Sequence, residues 1–74
     1  MQITVKLFAS YRAGRFKEAV LDFPDGTLVS GLLQSLDFTD KPPGIVLLNG
    51  ISAAVDTELH DGDTVALLPL SSGG

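Results

Sequence analysis

Cysteine is absent from the 74-residue chain, and that absence removes three chemistries at once: a disulfide framework, a thiolate metal site and a cysteine nucleophile. A cytoplasmic home fits such a composition best. No apolar run approaches the roughly 20 residues of a membrane span, and no charged segment followed by an apolar stretch marks a signal peptide at the N-terminus. Positive charge is scarce, with five Lys and Arg against nine Asp and Glu, for a net charge of -4. An acidic domain repels nucleic-acid and membrane phosphates and is steered toward a basic protein surface, so neither nucleic acid nor membrane is an expected partner. Length is short as well. One domain of this size sits close to the limit at which a hydrophobic core suffices without metals or disulfides. It has no room for a second lobe or a deep cleft, where most enzymes hold their substrates, and a self-contained enzyme is disfavoured.

Candidate catalytic groups are few. His60 is the only histidine, and beside Asp61-Gly62-Asp63 in a predicted turn it reads as a solvated side chain. The acidic cluster Asp56, Glu58, Asp61 and Asp63 lacks the spacing of a calcium loop, which needs more oxygen ligands and a late glutamate. Gly14, Gly26 and Gly31 share no phosphate-binding motif. A Ser-His-Asp set can be spelled from the residues, but no nucleophile elbow accompanies it. Four of the cations, Lys6, Arg12, Arg15 and Lys17, fall in the first quarter of the chain and read as a solvated face. No cofactor or metal is expected on this chain.

Hydrophobic residues make up 45% of the sequence, enough for one compact core. Residues 2 to 9 alternate at first, with Ile3, Val5 and Leu7 on one face and Gln2, Thr4 and Lys6 on the other, the pattern of a half-buried strand. Phe8 breaks it by falling on the polar face. Residues 10 to 17 read as a loop with one helical turn. Glu18 to Phe23 form a second strand, ended by Pro24-Asp25-Gly26. Thr27 stands where an N-cap belongs, and Val29, Leu32, Leu33 and Leu36 recur at i, i+3, i+4 and i+7, so a short amphipathic helix follows. Gly31 inside it costs about 1 kcal/mol against alanine, so packing must hold the helix. Residues 37 to 44 form a connector. Ile45 to Leu48 make a strand apolar on both faces, Asn49-Gly50 is a hairpin turn, Ile51 to Val55 return as a brief strand, and Thr64 to Leu70 form the last one.

One helix for one sheet gives an α+β roll, a mixed four- to five-stranded sheet with the helix across one face. Placing the first and last strands side by side and parallel, with hairpins on either flank, gives the β-grasp arrangement. With Val65 and Leu67 toward the helix, Leu68 and Leu70 stand on the open face, level with Phe8. An apolar patch rimmed by polar groups marks a protein contact. The alternative is that the loop from Ser10 to Lys17 folds back over these residues with Tyr11 and Phe16. Residues 1–70 are thus the folded domain and 71–74 a flexible tail. Beyond Leu70 no large side chain remains to anchor the chain. Ser71, Ser72, Gly73 and Gly74 in extended form reach about 13 Å into a narrow channel, and the free carboxylate of Gly74 is the candidate reactive group.

Val5-Lys6-Leu7-Phe8-Ala9, Asn49-Gly50 after a hydrophobic strand, Leu59-His60-Asp61-Gly62-Asp63-Thr64-Val65 and the terminal Ser72-Gly73-Gly74 together resemble the ubiquitin-like sulfur carriers (MoaD/ThiS-like). The resemblance is nearest to the small subunit of molybdopterin synthase, with the thiamine-pathway carrier as a cousin. It implies a cycle in which an adenylyltransferase of the ubiquitin-activating type adenylates Gly74 with ATP and magnesium. A persulfide sulfur donor then displaces AMP to leave a thiocarboxylate, and the tail delivers sulfur inside the molybdopterin synthase large subunit, for a molybdenum or tungsten cofactor. It also implies that Phe8 and Leu68 contact the partners while Leu70, Ser71, Ser72 and Gly73 lead the tail in. Two readings differ in outcome: delivery to thiamine or a tRNA base, and a protein modifier joined through Gly74 to a lysine. A passive interaction module with an incidental tail is a third. In Leu68-Pro69-Leu70 the sequence departs from the aromatic and two prolines that the small subunits often carry there.

Overall fold

The chain, described over residues 1–38 and 43–70 in a computed structural model, begins with the strand its alternation predicts. Strand β1 (Gln2–Leu7) buries Ile3, Val5 and Leu7 completely. Strand β2 (Glu18–Asp22) returns antiparallel to it, Gln2 opposite Asp22 and Lys6 opposite Glu18. Helix α1 (Val29–Ser35) lays Val29, Leu32 and Leu33 on the sheet. Burying each such side chain contributes about 1.5–3 kcal/mol, which exceeds the cost of Gly31. Strands β3 (Ile45–Leu48) and β4 (Ile51–Ser52) form a hairpin, and β5 (Thr64–Leu68) closes the sheet.

The strand order is β2-β1-β5-β3-β4. Strand β5 runs parallel to β1, with Val5 opposite Val65 and Leu7 opposite Leu67, and antiparallel to β3. First and last strands therefore share the centre of a five-stranded sheet with one helix on one face, the β-grasp arrangement. Val65 and Leu67 are fully buried beneath the helix, as the alternation of β5 requires. Asn49 and Gly50 turn the β3–β4 hairpin with φ of 52° and 86°, the left-handed pair that a two-residue loop of this twist demands.

The helix start differs from expectation. Leu28, not Thr27, occupies the N-cap position, and no side chain caps it. The Thr27 hydroxyl instead donates to the Pro24 carbonyl at 2.7 Å, tightening the preceding turn. The first helical amides find backbone acceptors from a distant segment: Val29 N donates to Thr57 O at 2.9 Å and Ser30 N to Val55 O at 2.8 Å. Those orphan donors are satisfied without a local polar side chain. The same segment contributes Leu59, 1% exposed, to the core from a stretch that looks only acidic and turn-rich. Strand boundaries are tighter than the sequence indicates. β1 ends at Leu7, β2 at Asp22, β4 at Ser52 and β5 at Leu68, the last directly before Pro69, which has no N–H to give a ladder. Among the described residues no helix is long and apolar enough to cross a membrane.

Candidate functional site at the tail end of the central strands

The register that pairs Leu7 with Leu67 carries on by one step, placing Phe8 beside Leu68, and Phe8 N donates to Leu67 O at 3.2 Å. Both side chains are half-buried on the sheet face away from α1. Strand β3 widens the patch: Ile45 lies opposite Leu68 and Leu47 opposite Ala66, so both stand on that same face. The sequence shows β3 apolar on both faces, and only the cross-strand register assigns Ile45 and Leu47 to the patch. Leu70 projects beyond the strand with 64% of its surface exposed. The open face thus grades from polar Gln2 and Thr4 to apolar Phe8 and Leu68 along one direction, toward the end of β5.

Phe8 is covered on one side by charge. Ala9, with φ of 54°, starts a 3-10 turn (Ala9–Arg12) that brings the Arg12 guanidinium 5.6 Å from the Phe8 ring centroid. Arg12 Nε donates to the Leu7 carbonyl at 2.7 Å, which fixes the stem. A cation over an aromatic face at this distance is attracted by the ring quadrupole. Lys6, Phe8, Arg12, Lys17 and Glu18 line a shallow hollow of about 190 Å³, smaller than the roughly 350 Å³ hollow by the β3–β4 hairpin, where Leu48, Ile51, Ser52, Ala53 and Thr57 offer no ionisable group.

The loop after β1 does not fold over the patch with Tyr11 and Phe16. Both pack against the core instead. The Tyr11 ring meets Phe38 edge-on, with centroids 5.0 Å apart and planes at 70°. Arg15 sits 4.3 Å from the Phe38 centroid and donates to the Leu36 carbonyl at 3.2 Å. Edge-to-face packing and a stacked guanidinium hold this loop to the helix side.

Charge is divided between the two ends of the sheet. Asp22, Asp25, Asp61 and Asp63 gather round the start of β1, where Asp61 Oδ1 accepts Gln2 N at 2.7 Å and Asp25 lies 3.9 Å from the Met1 amine. Lys6, Arg12 and Lys17 gather at the other end beside Phe8, with Glu18 as the one acid among them, while Arg15 of the same loop lies against Phe38. Among the described residues the close charged contacts, Met1 with Asp25 and His60 with Asp63, both lie at the acidic end. The net negative charge is therefore unevenly placed, with three of the cations at the end that carries the patch.

The remaining candidates have structural places. His60 is exposed, its Nδ1 4.0 Å from Asp63 Oδ2. Asp63 accepts His60 N at 2.8 Å and Asn49 Nδ2 at 2.9 Å, and Asn49 Oδ1 accepts Thr64 N at 2.9 Å, so these polar groups stitch turns together. Among the described residues no three His, Asp or Glu side chains come together as a metal ligand set. Ser71, Ser72, Gly73 and Gly74 lie outside the described residues.

Known proteins share this arrangement. Small archaeal modifier protein 1 (SAMP1) of Haloferax volcanii is 28% identical, with a TM-score of 0.82 over 100% of both chains. A candidate molybdopterin converting factor, subunit 1, of Pyrococcus furiosus is 28% identical, with a TM-score of 0.80 over 93% of this chain and 97% of its own. Subunit 1 of the molybdopterin-converting factor of Helicobacter pylori, in complex with subunit 2, shares the fold at 23% identity, a TM-score of 0.67 and 100% of both chains. No curated protein sequence matches. The ThiS family matches residues 5–74, from the core of β1 to the terminal diglycine, and the chain belongs to that family of ubiquitin-like sulfur carriers.

Proposed function

We propose that this protein carries sulfur on the carboxylate of Gly74 and donates it in molybdopterin synthesis, as the small subunit of a molybdopterin synthase. The observation that carries the reading is the placement of Phe8 and Leu68 side by side where β5 gives way to the tail, within a family match that runs through Gly73 and Gly74. A carboxylate is a poor electrophile until it gains a leaving group, and a chain with no cysteine does not supply the activation chemistry itself. An adenylyltransferase of the ubiquitin-activating type therefore attaches AMP from ATP, with magnesium, and pyrophosphate leaves. A persulfide sulfur attacks the acyl carbon and AMP departs. A thiol then cleaves the resulting acyl disulfide, taking up the donor as a mixed disulfide and leaving the thiocarboxylate. Phe8 and Leu68 dock the body on each partner while Leu70, Ser71, Ser72 and Gly73 lead Gly74 into its channel; glycine lets backbone pass where a Cβ would not.

Support for a large-subunit partner comes from the Helicobacter pylori protein, in which the same fold is one half of a two-subunit complex. The likeness to a small archaeal modifier protein favours a second reading, in which activated Gly74 forms an isopeptide bond with a lysine of another protein.

Intact mass decides between them. After incubation with the host's adenylyltransferase, ATP and a persulfide donor, replacement of one oxygen by sulfur is expected at Gly74, lost when Gly74 is deleted. A mass that never changes, with an enzyme competent on another carrier, sinks the sulfur reading; branched peptides ending in Gly74 would then establish the modifier.

A further inference from the structure

Leu70, the last described residue before the tail, lies against Gly44 at the mouth of β3. A Cβ placed on Gly44 would run into the backbone nitrogen and Cγ of Leu70 and stand 2.9 Å from its Cβ. Gly44 is not among the glycines with positive φ, so no left-handed backbone conformation calls for glycine there. What requires glycine there is the close approach of another stretch of chain. The obstructing atoms include backbone, which cannot swing aside as the end of a side chain would.

Gly44 is itself held in place. Its N–H donates to the Tyr11 hydroxyl at 3.1 Å, and the Tyr11 ring is braced edge-on against Phe38, which is 6% exposed. Arg15 closes the set by stacking on Phe38 and donating to the carbonyls of Leu36 and Tyr11. The 3-10 loop, the end of the helix and the start of β3 thus converge on one glycine, and the root of the tail rests on it. Between that root and the strand stands only Pro69, whose ring fixes φ near -65°.

We propose that Gly44 is a positioning residue for the tail: the bare face it presents seats Leu70 and so sets the direction in which the last four residues leave the body. A partner channel meets the carboxylate only if the root points at it while Phe8 and Leu68 are docked. A displacement of about 1 Å far from the reacting atoms is enough to cost up to a hundredfold in rate. Gly44 touches no reacting atom; it acts through Leu70.

The test separates seat from chemistry. By nuclear magnetic resonance on the full chain, a contact is expected between the Gly44 α protons and the Leu70 amide. In Gly44→Ala that contact is lost while the sheet amides keep their shifts. With the host's adenylyltransferase and ATP, Gly44→Ala lowers kcat for Gly74 adenylation about tenfold and leaves KM for the carrier near the parent value, since Phe8 and Leu68 keep their places. A merely structural residue would lower the melting temperature without this split. Tyr11→Phe, which removes the hydroxyl acceptor and keeps the ring, shifts kcat the same way by about threefold, and it decides the matter if Gly44→Ala does not fold. Absence of the Gly44–Leu70 contact in the parent chain, or an unchanged kcat in the folded variants, overturns the seat. The activity arm rests on the carrier reading; a parent chain that shows the contact and is never adenylated overturns that reading and leaves the contact standing.

Discussion

The two ends of the central strands solve opposite problems. Where β1 begins, polar atoms are paired off: Asp61 with Gln2 N, Asn49 with Asp63 and Thr64, and the Met1 amine with the Phe23 carbonyl at 2.8 Å. Where β5 ends, Phe8, Leu68, Ile45 and Leu70 leave apolar surface facing outward under a rim of lysine and arginine. One end spends its polar groups on holding turns together, and the other keeps both apolar surface and charge available for another molecule. The molecule's net charge of -4 belongs mostly to the first end and misstates the second.

Mutations that separate stability from partner contact test this contrast, and the largest effect is expected at the stitched end. Leu59→Ala removes a core side chain that is 1% exposed and should cost about 3 kcal/mol of unfolding free energy by denaturant titration, with adenylation per folded molecule unchanged. A loss under about 1 kcal/mol would mean that the acidic segment packs loosely. At the tail end the pattern inverts. Phe8→Ala should raise KM for the adenylyltransferase roughly 30-fold, about 2 kcal/mol of contact energy, while kcat holds. An unchanged KM would remove Phe8 from the docking surface. The smallest effect is electrostatic. Lys17 has no ion-pair partner among the described residues, and Lys17→Glu should slow association with the partner several-fold at low salt, the difference vanishing as salt screens it. Faster association in that variant would mean that the partner presents a basic rim instead.

Much of this was legible in the sequence because the governing interactions are local or periodic. The alternation of Ile3, Val5 and Leu7 fixes the inner face of β1, Asn49-Gly50 fixes a hairpin, and the misplaced Phe8 marks the patch. What escaped depends on residues distant in sequence. The cap on α1 comes from the carbonyls of Val55 and Thr57, so a search for a capping side chain settles wrongly on Thr27. Ile45 and Leu47 join the patch only once β3 is set antiparallel to β5 in a particular register. Leu59 hides among acids because one buried leucine makes no period. Gly44 sits in a Pro-Gly stretch that reads as an ordinary connector, and its use appears only when Leu70 arrives beside it.

The parallel pairing of β1 with β5 also governs how the protein comes into being. Val5 and Val65 are neighbours in the sheet although 60 positions separate them (65 minus 5), so the centre of the fold waits for nearly the whole chain. Loop closure over such a distance must precede the contacts that reward it, which places folding late. A chain broken off during synthesis before Thr64 lacks Leu68 and the two core residues of β5, Val65 and Leu67. It keeps Phe8 and Ile45 but not the β5 strand that sets them side by side with Leu68. The proposed docking face is thus assembled by the same strand that leads to residues 71–74, so face and tail come into being together.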